Sequence, residues 1–166
     1  LSRRVGEFLK DPAGRPERVD LAVFLADLAR RSLFLPSFSQ DGGPAVVLFD
    51  PELLRSAVEN LLRNASESYA ALYSPPPAGR AIVELALELG SGRESRRAVI
   101  SVRDRGAGVP EDAREKVFDP FYTYKIQGSG VGLPLARRFV EAAGGSLSLR
   151  PREGGGTEAR IEDFDT

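Results

Sequence analysis

The sequence predicts an α+β fold in which helices cover one face of a mixed sheet. Apolar residues recur at helical spacing near residues 21–33, from 50 to just before Pro75, and from about 130 to 143. Apolar runs of strand length lie between and after these stretches, several of them joined by glycine turns. A chain of 166 residues is long enough for one domain with a substantial core. No internal repeat or long low-complexity tract competes with that reading.

Leu1 to Leu9 reads as the end of a helix, with Leu1, Val5, Phe8 and Leu9 on one side, and the run from Asp11 to Pro16 breaks it. Residues 1–14 are therefore expected to be the end of an upstream helix and a linker, and 15–166 the domain proper. Val19 to Leu21 suggests a short strand, and Leu21, Phe24, Leu25, Leu28 and Leu33 a helix. The turn Asp41-Gly42-Gly43-Pro44 precedes Ala45–Phe49, an apolar run suited to a buried strand. Asp50-Pro51-Glu52 is a helix start, with Asp as N-cap and Pro at the first helical position. Residues 80–89 and 97–104 read as two strands of a hairpin around Gly90-Ser91-Gly92. A loop-rich stretch follows from Arg105 to about Gly130, then a helix that Gly144-Gly145 ends. Two closing strands flank Gly154-Gly155-Gly156.

Composition narrows the chemistry. The 23 basic and 24 acidic residues nearly cancel, so charge gives no case for a nucleic-acid or membrane-surface binder. No apolar run approaches the roughly 20 residues needed to span a bilayer. Zero cysteines exclude disulfides and thiolate chemistry. Zero histidines exclude a Ser-His-Asp triad, a histidine base and any His-ligated metal within the chain. Whatever chemistry occurs uses carboxylates, amides, hydroxyls, amines and backbone groups, or borrows a residue from a partner.

Four motifs in fixed order supply candidates. Asn60 and Asn64 lie four residues apart and share a helix face, with Glu67 one turn further on and Glu59 off to one side. Amide oxygens suit a hard cation such as magnesium, which keeps waters and phosphates as its other ligands; a solvated helix face carries the same residues. Asp104 ends an apolar strand ahead of Gly106 and Gly108, where a carboxylate can accept from the amino group of adenine and glycines let backbone approach a flat base. An ordinary Asp/Gly turn looks similar. Phe118, Pro120 and Phe121, followed by Thr123, Tyr124 and Lys125, suit either the anchor of a lid over phosphates or a satellite core cluster. Gly128-Ser129-Gly130-Val131-Gly132 runs straight into a helix at Leu133, aiming free amides and a positive helix end at an anion. No strand precedes that glycine run, which sets a dinucleotide fold aside.

In order and spacing these stretches resemble the N, G1, F and G2 boxes of the GHKL ATPase superfamily. They are most similar to the catalytic ATP-binding domain of bacterial sensor histidine kinases of the nitrogen-regulation type. The resemblance covers roughly residues 15–162. It implies a Bergerat fold, a two-layer sandwich of a mostly antiparallel mixed sheet under about three helices. It also implies ATP and Mg2+ as cofactors. Asn64 would hold the metal with support from Asn60; Asp104 would read adenine, with room made by Gly106 and Gly108. Phe121, Thr123, Lys125, Gly128, Ser129, Gly130, Val131, Gly132 and Leu133 would form the nucleotide lid and its hinge, with Lys125 on phosphate and Glu59 assisting the attacking nucleophile. Tyr124, Arg105 and Ala143 depart from the residues relatives often carry, the last two from asparagine and histidine.

By the same resemblance the domain passes the γ-phosphoryl of ATP to a histidine on a separate dimerisation hairpin, which this histidine-free chain lacks. The isolated domain is then a monomer and the parent a cytoplasmic or membrane-anchored homodimer, serving a response regulator indirectly. An anti-sigma-type serine/threonine kinase and a non-catalytic, nucleotide-gated interaction module would use the same nucleotide site.

Overall fold

The computed structural model describes residues 15–73, 82–90, 97–119 and 132–164. The upstream helix expected over 1–9 and the tip of the hairpin loop lie outside them. Strand β1 (Glu17–Asp20) leads into helix α1 (Leu21–Arg31), then come β2 (Ser37–Asp41), β3 (Val46–Phe49) and the long α2 (Pro51–Leu72). After these follow β4 (Val83–Leu89), β5 (Ala98–Asp104), two short 3-10 turns (Glu111–Ala113 and Lys116–Phe118), α3 (Gly132–Ala142), β6 (Ser146–Pro151) and β7 (Thr157–Glu162).

Capping chemistry sets the helix ends. Asp20 caps α1, accepting from the Ala22 amide at 3.1 Å, and Asp50 caps α2, accepting from Glu52 at 2.8 Å and Leu53 at 3.1 Å. Asp50 also accepts from the Arg15 amide, which ties the start of the described chain to the head of α2. At the end of α3 the Gly145 amide donates to Val140 and that of Gly144 to Glu141, the paired bonds of a Schellman turn. Gly144 takes the left-handed conformation this turn requires, φ +89°.

Five strands form one sheet in the order β2-β4-β5-β7-β6. Only β2–β4 is parallel; the other three pairings are antiparallel. One face carries Leu85, Leu87, Ile100, Val102, Leu147, Ala159 and Ile161, all in the core with Leu25, Leu28, Leu61, Leu62, Leu135 and Val140 of the helices. Helix α2 packs on α3 and β5, α3 on β6, and α1 on β2 and β4. The opposite face carries alternating charge instead, with Arg103 bonded to Glu158 at 2.6 Å and Glu88 at 2.5 Å. Ser101 lies on that face, fully buried, its hydroxyl without a partner among the described residues.

Two expectations are corrected. The run Ala45–Phe49 is not a buried sheet strand: β3 pairs only with β1 in a separate two-stranded ribbon, burying Val47 and Phe49 while Val46 and Leu48 remain 42% and 43% exposed. Strand β2 was not expected, because Ser37–Asp41 is polar and mostly exposed, as an edge strand can be.

Candidate functional site

Helix α2 buries Leu54, Ala57, Val58, Leu61, Leu62, Ala65, Ser68 and Tyr69, which fixes how its remaining side chains are displayed. Asn60 is nearly buried and its amide nitrogen donates to the Ser56 carbonyl at 2.8 Å. With the nitrogen so committed, the oxygen is the end that can meet a cation. Asn64 follows one turn on, half-buried, and Ser68 another turn on, so the three form one stripe along the helix.

That stripe runs into the turn after β5. Gly106 packs so closely on α2 that an added Cβ would lie 2.3 Å from the Ser68 hydroxyl and 2.7 Å from its carbonyl carbon. Packing against α2 thus demands this glycine. Gly108 is required for another reason, a left-handed φ of +79°. Asp104, 3% exposed, ends β5 on the helix-covered face and accepts from the Gly106 amide at 2.8 Å, which holds its carboxylate in the turn. The amide pair and the buried acid, 40 residues or more apart in sequence, are thereby brought to one side of the domain.

A third segment completes this corner. Gly156 of the β6–β7 turn lies against the Asp104 carbonyl, where a Cβ would stand 2.0 Å away. Arg103 pairs with Glu158 across β5 and β7, so Thr157, one step along, sits beside Asp104 with its side chain buried on the same face. Neither Ser68 nor Thr157 was identified from sequence. The triple glycine signalled only a turn, and pairing register was needed to place the threonine next to the acid.

Val117 and Phe118 belong to the main core, and the Arg137 guanidinium of α3 stacks 4.3 Å from the Phe118 ring centroid while bonding Glu115 and Glu141. Pro120, Phe121, Thr123, Tyr124, Lys125, Gly128, Ser129, Gly130 and Val131 lie outside the described residues. Gly132 opens α3, and Leu133 is a buried core residue at its start. Glu59, about 100° around α2 from Asn60, engages Ser32 at the end of α1. Burial pushes its carboxyl above the usual range, partly offset by the Ser32 hydrogen bond and the Arg55 charge. Among the described residues no cluster of three or more acids could hold a metal, and no helix is long and apolar enough to cross a membrane. A hard cation at this corner would have amide oxygens and ligand phosphates for partners.

Residues 49–165 match the family described as Histidine kinase-, DNA gyrase B-, and HSP90-like ATPase. The chain is 33% identical to the C4-dicarboxylate transport sensor protein DctS of Rhodobacter capsulatus over 93% of its own length and 23% of that protein. It is 28% identical to the nitrogen regulation protein NtrY of Azorhizobium caulinodans, over 97% and 21% respectively. It thus spans less than a quarter of the length of either relative. Among solved structures, the mycobacterial sensor histidine kinase MprB superposes with a TM-score of 0.66 at 27% identity, covering 90% of this chain and 97% of that one.

Proposed function

Because this chain belongs to the family of histidine kinase-, DNA gyrase B- and HSP90-like ATPases, as an ATP-binding catalytic domain of the sensor histidine kinase type, we propose that it binds magnesium ATP at the α2–β5 corner and passes the γ-phosphoryl to a histidine on a separate helical hairpin. The observation that carries the reading is the stripe of Asn60, Asn64 and Ser68 ending on the turn that holds buried Asp104. The Asp104 carboxylate accepts from the adenine amino group, and Gly106 and Gly108 keep side chains off the base. Asn64, with Asn60 behind it, offers amide oxygens to magnesium, which when bound neutralises phosphate charge. Lys125 meets the phosphates from the lid, with Phe121, Thr123, Gly128, Ser129, Gly130 and Val131 shaping it and Gly132 and Leu133 rooting it in α3.

In transfer, the bond from phosphorus to the ADP oxygen breaks as one to an imidazole nitrogen forms, and the imidazole proton leaves to solvent. This chain's residues position and neutralise; they supply no covalent step. Glu59 is the proposed aid to the nucleophile. The acceptor hairpin, the response regulator, the homodimeric parent and a cytoplasmic setting belong to the same proposal.

Asp104→Asn tests it. The asparagine oxygen can still accept from Gly106, but its amide group meets the adenine amino group donor to donor. ATP affinity should collapse, and so should phosphotransfer to a histidine-bearing hairpin added in trans. Unchanged ATP affinity would sink the adenine assignment; tight ATP binding by the parent sequence with no transfer to any hairpin would leave a nucleotide-gated module.

A further inference from the structure

We infer that Arg105 and Arg152 are positioning residues for adenine recognition, clasping the β6–β7 turn to the end of β5 so that Asp104 is held in place. Arg152 is the inner half of the clasp. Its guanidinium pairs with Glu84 on β4, with its side chain only 16% exposed, and donates to the carbonyl of Asp104 itself at 3.4 Å. Its backbone closes the turn, the amide donating to Gly156 at 3.1 Å and the carbonyl accepting from Gly155 at 3.0 Å. Arg105 is the outer half. It follows Asp104 directly and reaches across some 50 residues of chain to donate to the carbonyls of Glu153 and, at 2.9 Å, Gly155. Two strand ends are thus joined by side chains where the ladder between β5 and β7 runs out.

The close approach explains why this joint reaches the carboxylate. Gly156 lies on the backbone of both Asp104 and Arg105, so close that a Cβ would stand 2.0 Å from the first and 2.9 Å from the second. Movement of the turn therefore displaces the peptide that carries the reading acid, and also Thr157 beside it. Both bonds come from one terminal guanidinium nitrogen, Nη1, so a long side chain ending in a cationic donor with more than one hydrogen is what the contact requires. An asparagine at this position would be too short to span to the turn. In this chain the long side chain performs a fastening that the sequence alone marks only as a departure.

The inference rests on the proposed adenine role of Asp104, and the experiment separates the two. ATP and GTP affinities, thermal melting and amide hydrogen exchange are measured on the full chain for the parent sequence, Arg105→Asn and Arg105→Lys. Arg105→Asn should weaken ATP binding about tenfold, the worth of charge-assisted hydrogen bonds discounted for exposure. It should also lower the ATP-to-GTP preference by a similar factor and speed exchange at Gly106, Gly155 and Gly156 without nucleotide. Arg105→Lys, which keeps a long cationic donor, should recover most of each effect. A purely structural residue would lower the melting temperature and leave the base preference unmoved; that result overturns the inference. Faster exchange with an unmoved preference, while Asp104→Asn still abolishes ATP binding, also overturns it and leaves the proposed function standing. If the parent sequence and Asp104→Asn bind ATP alike, both fall together.

Discussion

Gly106→Ala asks whether this glycine serves the nucleotide or the protein. Gly106 is not among the left-handed glycines, so the alanine meets no backbone strain and only space is at issue. Its Cβ would lie 2.3 Å from the Ser68 hydroxyl, 2.7 Å from the Ser68 carbonyl carbon and 2.8 Å from the carbonyl oxygen. Two of these three atoms are helix backbone and cannot swing aside. Overpacking of this kind costs about 1–3 kcal/mol, while the loss of glycine freedom in the unfolded chain returns roughly 0.4–1 kcal/mol. A net loss of about 1–2 kcal/mol corresponds to a melting temperature lowered by roughly 2–8 °C in a domain of this size. Thermal denaturation without nucleotide reads this directly. Adding Ser68→Ala removes the hydroxyl and leaves both backbone contacts, so recovery should be partial. If Gly106→Ala melts with the parent sequence but loses ATP, the packing argument is refuted and the glycine exists for the base.

Asp50→Ala should cost about 1–2 kcal/mol through loss of the α2 cap. Burial opposes the Asp50 charge, but the amides of Arg15, Leu53 and Glu52 outweigh it and hold the pKa below its ordinary 3.8. The stabilisation is therefore full above that value and fades as pH falls through the lower folded pKa; melting curves whose gap to the alanine variant widens on acidification would contradict this. Glu59 has the opposite sign. Its raised carboxyl makes the ionised form a burden that appears as pH climbs past the ordinary 4.5 and through the folded value. Glu59→Gln should therefore be the more stable protein at neutral pH, the gap closing in acid, and a loss of phosphotransfer alone would instead mark Glu59 as an aid to the nucleophile. Asn64→Ala should weaken ATP binding in magnesium far more than in chelator; equal losses in calorimetry would remove the metal role.

Much of this site was legible because its signals are local. Asp50-Pro51-Glu52 is a cap written in three neighbouring residues, and Asn60 and Asn64 share a face by helical geometry alone. The α+β layering followed from periodicity, since Leu85, Leu87, Ile100 and Val102 alternate while Leu54, Val58, Leu61, Leu62 and Ala65 recur by turns. What was not legible depends on partners distant in sequence. The exposed edge strand β2 has no hydrophobic alternation strong enough to mark it, and the ribbon of β1 and β3 differs from a sheet strand only in what lies over Val46 and Leu48. Gly106 was read as room for a base, and its packing on Ser68, 38 residues earlier in the chain, left no mark in the local sequence. Thr157 gains meaning only from the register of β7 on β5.

That register has a consequence for biosynthesis. Strand β7 is the last of the sheet to be synthesised, yet it lies between β5 and β6. A nascent chain halted before Thr157 has β2, β4 and β5 on one side and a lone β6 on the other, with hydrophobic Ile100 and Leu147 awaiting the same missing neighbour. The turn at Gly156 and the threonine beside Asp104 arrive with that strand. Completion of the corner around Asp104 therefore coincides with completion of the sheet. On the proposed site assignment, nucleotide stabilises the finished fold over a chain that lacks this strand.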